Sequence, residues 1–320
     1  MRFIPNFKGF DFFPHDLRLP FMRYRDLAVG LSIVAMVLSL GLFFVRGLNY
    51  GVDFKGGSMI EVQSVSGPAD VAALRESLNK AGLGGVQIQQ FGAPTDVLIR
   101  IEEQPGGEEA QQAGLKKVID TIGDKYLQRR VEVVGPAVSS ELRFTGFMAV
   151  LAGMVAIVAY VWFRFEWQFA VGAIVALAHD VIVTVGLFSL FQLEFDLSIV
   201  AALLTILGYS VNDTVVVSDR IRENLRKYKR MDTVELLDLS INETLSRTIL
   251  TGVTTIVVLL ALYLFGGEVI RNFNFAMLFG VIIGTYSSMF IAAPMISYFG
   301  VPRDSGIANE KVKAAARKPA

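Results

Sequence analysis

Six stretches of about 20 apolar residues divide this chain, and a hydrocarbon layer about 30 Å thick is crossed by a helix of about that length. They fall at 27–45, 145–163, 168–191, 198–217, 248–265 and 275–298. A membrane bundle of six helices is therefore expected. Composition agrees, since 53% of residues are hydrophobic and 19% are charged, below the roughly 25% charged in soluble domains. Lys plus Arg and Asp plus Glu both number 30, so no net charge argues for nucleic acid or an acidic substrate. The absence of cysteine excludes disulfides, thiolate metal sites and cysteine nucleophiles. With His15 and His179 the only histidines, neither a metal nor another cofactor is expected.

Basic residues crowd three regions. Arg18, Arg23 and Arg25 lie in the leader 1–26; Arg220, Arg222, Arg226, Lys227, Lys229 and Arg230 lie between the fourth and fifth spans; Lys311, Lys313, Arg317 and Lys318 lie in the tail 299–320. The positive-inside rule puts all three in the cytoplasm. The facing loops 192–197 and 266–274 hold only Arg271, so the long polar insertion 46–141 is expected on the outer, periplasmic face. No small-residue cleavage site follows the first stretch, which reads as an uncleaved signal anchor.

Within the insertion, apolar and polar residues alternate around Ile60 and Val62, and Val71, Leu74 and Leu78 follow at helical spacing behind Pro68. Alternation returns at Val86 and Ile88 and at Val97, Ile99 and Ile101; Leu115, Val118 and Ile122 suggest a second helix, and 131–134 a last strand. The order βαββαβ predicts an α+β, ferredoxin-like extramembrane domain. In the cytoplasmic loop 219–246, Asp232 and Glu235 resemble a capping box, and Val234, Leu237, Ile241 and Leu245 share one helical face. That face reads either as lying along the membrane surface or as an extension of the fifth span.

Charges inside spans need a reason, because Asp or Arg near a helix centre costs about 2.5–3.5 kcal/mol to insert. Asp180, beside His179, lies about 12 residues into the third span, roughly 18 Å deep at 1.5 Å per residue. Asp213 lies about 15 residues into the fourth span, roughly 22 Å from its outer edge, with Ser210 and Asn212 adding polarity. Arg247 opens the fifth span, where its long side chain reaches toward the depth of Asp213. Desolvation and a guanidinium act on a carboxyl in opposite senses, which suits a proton-exchanging group. The plainer alternatives are that Arg247 only snorkels to headgroups, that Asp213 only bonds a neighbouring helix, and that Asp180 and His179 are a satisfied buried pair. Gly51-Val52-Asp53-Phe54-Lys55-Gly56-Gly57 is not a P-loop, which places its Lys after the glycines and opens a helix; a turn into the extramembrane domain is expected. Gly280 and Gly284 form a small-xxx-small pattern that favours close helix approach.

Several segments now resemble one family. Gly51–Gly57 resembles the motif that the SecD/SecF family places after its first span. Residues 195–224 (FDLSIVAALLTILGYSVNDTVVVSDRIREN) resemble the fourth-span signature of its SecF branch, 240–254 (SINETLSRTILTGVT) the entry to the fifth span, and 134–142 (VGPAVSSEL) the exit from the outer domain. Ser218 departs from the pattern, which usually has an aromatic residue there. The resemblance implies an RND-like half that pairs with a SecD-like subunit in the bacterial inner membrane, with both termini cytoplasmic. It implies use of the proton gradient to draw unfolded exported polypeptides across beside the SecYEG channel, with YajC as a further partner and with no enzymatic step. By position, Asp213 and Arg247 match the family's proton-pathway residues and Asp180 a further intramembrane aspartate.

Two other classes compete. An intramembrane aspartyl protease needs YD and GxGD contexts, whereas Asp180 stands in Ala178-His179-Asp180-Val181 and Asp213 in Val211-Asn212-Asp213-Thr214. An RND-type half-transporter for small molecules needs larger outer domains than residues 46–141 supply. The charge asymmetry sets the first test: a topology reporter fused after Gln104 is expected to read as external and one after Lys229 as cytoplasmic. A cytoplasmic reading at Gln104 overturns the orientation.

Overall fold

The structure is a computed structural model that describes residues 18–300 apart from 84, 91 and 268. His15, most of the leader and the basic tail with Lys311, Lys313, Arg317 and Lys318 lie outside the described residues. Among these residues, six helices are long and apolar enough to cross a membrane. A 3₁₀ turn, Phe21–Tyr24, leads into α1 (Arg25–Arg46), which stops at Gly47 with φ 69°. The short strand β1 (Asn49–Tyr50) and the one-turn helix α2 (Val52–Lys55) then enter the extramembrane domain.

That domain runs β2 (Gly57–Ser64), α3 (Val71–Lys80), β3 (Val86–Gln90), β4 (Asp96–Ile101), α4 (Gly107–Ile122) and β5 (Tyr126–Val134). Its sheet has the order β3-β4-β2-β5, antiparallel throughout. Ile60, Val62, Ile99 and Ile101 pack against Leu74, Leu78, Val118 and Ile122 in one core. This is the ferredoxin-like arrangement expected of βαββαβ. The last strand starts at Tyr126, ahead of the expected 131. Its first half lies on the sheet edge, where residues 127–130 are all exposed, so no alternation marks it.

The remaining spans are α5 (Pro136–Arg164), α6 (Trp167–Phe191), α7 (Leu197–Lys227), α8 (Thr233–Phe265) and a broken last span. Before α7 comes β6 (Glu194–Phe195), paired in parallel with β1. Helix α5 begins well before residue 145 because Gly135 and Pro136 make a good start, proline's missing N–H being no loss in a first turn. The last span consists of α9 (Arg271–Ser287), a π turn over Ser288–Ala292, and α10 (Ala293–Phe299). Pro294 just beyond the π turn denies the ladder an N–H donor, a usual cause of such irregularity.

Helices α7 and α8 both outrun their apolar stretches and form a hairpin beyond the bundle. Asp232 caps α8 by accepting from the Val234 amide at 2.9 Å. Helix α8 is one continuous helix from Thr233 to Phe265, as the alternative of an extended fifth span has it. Leu236, Leu237, Ile241 and Leu245 are buried in a core with Phe21, Met22, Val217 and Ile221. The Met22 amide donates to Asp238 Oδ1 at 2.8 Å, and the Leu19 amide donates to Asn242 Oδ1 at 2.8 Å. The face had another protein surface to cover, so it did not need lipid.

The most buried spans are α6, α7 and the last; α1, α5 and α8 carry exposed side chains such as Val45, Phe163 and Phe265. Close packing at the centre depends on two glycines. A Cβ on Gly280 would lie 2.3 Å from Ile206 Cγ1, and one on Gly284 3.0 Å from Ser210 Cβ. The small-xxx-small pattern is thus the α7–α9 contact. Gly280→Ala is expected to cost about 1–3 kcal/mol of overpacking, seen as a lower Tm in detergent. Gly208→Ala, with nothing within 4 Å of its added Cβ, is expected not to lower Tm, since alanine is the better helix former. Equal Tm values for the two variants contradict the contact.

Candidate functional site

The site grows from Asp180 on α6. Its Oδ2 accepts from Ser210 of α7 at 2.6 Å and from Ser287 of α9 at 2.8 Å, and its Oδ1 pairs with His179 Nδ1 at 3.0 Å. His179, Asp180, Ser210 and Ser287 are all at most 1% exposed. Three hydrogen bonds fill this carboxylate and tie three helices, as burial in a low-dielectric interior demands. Ser210 reaches Asp180 because Gly284 yields room beside it. Ser287 was not anticipated from the sequence. The only trace of it was its position three residues beyond Gly284, on the same helical face.

Asp213 sits three residues beyond Ser210 on α7 and is 3% exposed. Its environment is the opposite of that around Asp180, for its Oδ2 is buried without a hydrogen-bond partner. Arg247 on α8 is exposed and acts on Asp213 electrostatically. The two make no hydrogen bond or ion pair within 4.0 Å, and Asn212 points to the exposed side of α7.

More unpartnered oxygens occur nearby. Tyr209 OH, Thr214 Oγ1 and Thr248 Oγ1 are buried and likewise lack partners. Thr248 stands apart from Thr244, Thr251, Thr254 and Thr255, which all bond back to carbonyls of α8. A Cβ on Gly252 of α8 would lie 4.0 Å from Tyr209 OH. Because α7 and α8 are antiparallel, one further turn on each brings Asp213 level with Thr248. The seam between these helices therefore carries a carboxylate and hydroxyls with unused hydrogen-bonding capacity. Thr248 and Tyr209 gave no sign in the sequence beyond being polar residues within a span.

The glycine motif lies at the other end of α7. The Gly51 amide donates to Phe195 O at 2.9 Å, extending the β1–β6 pairing, and Asp53 Oδ2 accepts from the Leu197 amide at 3.0 Å. Asp53 thus joins Asp196, which accepts from the Ile199 amide at 3.2 Å, in placing negative charge at the α7 N-terminus, where the helix dipole favours it. Phe54 is buried with Phe188 and Phe195. Gly56 and Gly57 have φ of 76° and 116°, and a Cβ on Gly57 would lie 2.3 Å from Ile101 O. Glycine is therefore required where the chain enters β2. The amides of Phe54, Lys55 and Gly56 bond to Gly51 O or Val52 O, so they are not free to cradle a phosphate. Among the described residues, no group of three or more His, Cys, Asp or Glu could hold a metal ion.

The chain matches two family models: "Protein export membrane protein SecD/SecF, C-terminal" over residues 114–301, and "SecD/SecF GG Motif" over residues 41–66. It is 42% identical over 302 residues to protein translocase subunit SecF of Escherichia coli O157:H7, covering 93% of each chain. It is 46% identical over 299 residues to that of Cereibacter sphaeroides, covering 91% of this chain and 92% of the relative. The crystal structure of SecDF, a translocon-associated membrane protein from Thermus thermophilus, matches with a TM-score of 0.78 at 37% identity. That match covers 89% of this chain and 39% of the other. The chain likewise spans 39% of the SecDF of Brucella abortus.

Six spanning helices and these relatives together mark a multi-pass membrane protein of polypeptide translocation. The chain belongs to the SecD/SecF family of protein-export membrane proteins.

The Asp180 knot gives a direct test. Ser287→Ala removes one donor from a buried carboxylate and is expected to cost about 1–3 kcal/mol, read as a fall in Tm of the detergent-solubilised protein. Ser140→Ala, whose hydroxyl bonds only to Ala137 O of its own helix, serves as the control. A Tm for Ser287→Ala equal to that of the control contradicts the knot.

Proposed function

We propose that this chain works with a SecD-like subunit beside the SecYEG channel, in a bacterial inner membrane and with YajC as a further partner. Proton movement through Asp213 drives its part in drawing unfolded polypeptides to the outer face. Both termini are cytoplasmic in this reading, and the ferredoxin-like domain is periplasmic. The observation that carries it is the contrast between two buried aspartates. Asp180 has its acceptors filled, whereas Asp213 keeps a buried oxygen free on the same helix seam as Thr248 and Tyr209. A carboxylate so placed is costly unless it binds a proton, pairs or meets water, and Arg247 supplies a charge near enough to bias the choice.

A partner subunit is supported by the bundle's own surface. Thr205, Gly208 and Asn212 share one exposed face of α7, and an asparagine within the span is poorly placed against lipid. The SecDF relatives supply more chain than this one, which fits a second half covering that face. The protease reading loses support, because Ser210, Ser287 and His179 occupy the oxygens of Asp180 that a shared catalytic water would need.

Asp213→Asn keeps the shape and removes the titratable group. Moving one charge through 100 mV is worth about 2.3 kcal/mol, enough to bias two conformations tens-fold. Asp213→Asn is therefore expected to abolish gradient-stimulated export into inverted membrane vesicles at normal expression and assembly. Arg247→Ala is expected to be defective too, and Arg247→Lys to rescue little, since a point charge replaces the planar fork. Full stimulation with Asp213→Asn leaves this aspartate a structural residue.

A further inference from the structure

The loop between α6 and α7 is gripped from three directions. Glu194 takes an ion pair from Arg100, which belongs to β4 of the extramembrane sheet. Its other carboxylate oxygen lies against Gly51, where an added Cβ would come within 2.9 Å of Oε1. Asn272 Nδ2 at the start of α9 approaches Glu194 O at 3.5 Å. Two residues on, Asp196 and Asp53 cap α7. The chain of contacts is therefore short: sheet, Arg100, Glu194, the β1–β6 pair, the α7 N-terminus, and then the helix that carries Asp213.

Arg100 and Glu194 face a cleft between the sheet and the bundle that Asp53, Glu61, Glu132, Asp196 and Arg130 also line. Burial raises the Glu194 carboxyl above its ordinary range; Arg100 lowers it, and Asp196 and Asp53 add to the rise. The pair sits largely buried among like charges, so each partner depends on the other to hold its place. Removing one partner strands the other, whereas replacing both with apolar residues of similar volume is tolerated.

We propose that the loop 192–196, clasped by Arg100 from the sheet and by Gly51 and Asp53 from the glycine motif, is the joint through which displacement of α7 reaches the extramembrane domain. Arg100 and Glu194 are positioning residues in this scheme, which rests on the Asp213 reading for the source of the displacement. Helix α7 is continuous and capped at this end, so a shift of the helix at Asp213 is carried to Leu197 or absorbed in the loop. The clasp leaves the loop no slack.

Because the natural chain has no cysteine, paired spin labels can be placed on Lys116→Cys in the domain and Leu264→Cys at the near end of α8 in the assembled membrane complex. The native pair is expected to give one narrow distance distribution. Arg100→Met is expected to broaden it, and Arg100→Met with Glu194→Met to narrow it again, the coupling that a double-mutant cycle detects. Gradient-driven export should fall severalfold in the single variant and recover in the double. A distribution for Arg100→Met as narrow as the native one overturns the joint, and so does a double variant as broad as the single one. If these distances behave as expected while Asp213→Asn exports normally, the proton reading fails and the joint stands.

Discussion

A carboxylate inside a bilayer has to be filled with hydrogen bonds or put to use, and the three bonds on Asp180 settle how this bundle is built. They bring α6, α7 and α9 to one point. That point exists only because Gly280 and Gly284 let α9 close on Ile206 and Ser210. The same close approach fixes the rotation of α7. With Ser210 turned toward Asp180, Asp213 is carried round into the α7–α8 seam, away from the hydroxyls that saturate its counterpart. One aspartate is spent on structure, and this positions the other with an oxygen to spare.

The extramembrane end obeys a similar logic. The glycine motif is an attachment, in which Gly51 leaves room for Glu194, Asp53 caps α7, and Gly57 passes beneath Ile101 O on the way into the sheet. A motif that resembles a phosphate loop on paper is therefore a set of backbone clearances around a helix N-terminus. At the far end, the α7–α8 hairpin buries its apolar face on Phe21 and Met22, so both ends of the helix that holds Asp213 are anchored.

Much of this architecture was legible in the sequence because it rests on local patterns. Hydropathy over about 20 residues marks a span whatever its neighbours, and alternation at Ile60, Val62, Val97, Ile99 and Ile101 reports one buried sheet face. What escaped was tertiary. The apolar stripe of Leu237, Ile241 and Leu245 does not say whether lipid or protein covers it. The exposed first half of β5 has no pattern to read. Asp180 and Asp213 are both intramembrane carboxylates in the sequence, and the bonds from Ser210 and from Ser287, the latter brought from more than 100 residues away, distinguish the filled one from the open one. Thr248 was hidden for the same reason, since a threonine in a helix usually satisfies its own hydroxyl.

The most direct measurement is a pH-difference infrared spectrum of the membrane complex carrying ¹³C-labelled aspartate, compared with those of its Asp213→Asn and Asp180→Asn variants. A carboxyl stretch that grows as the pH falls, disappears in Asp213→Asn and survives in Asp180→Asn is the expected result. A titrating band that survives in Asp213→Asn, or one lost only in Asp180→Asn, contradicts the assignment of the open carboxylate as the proton carrier.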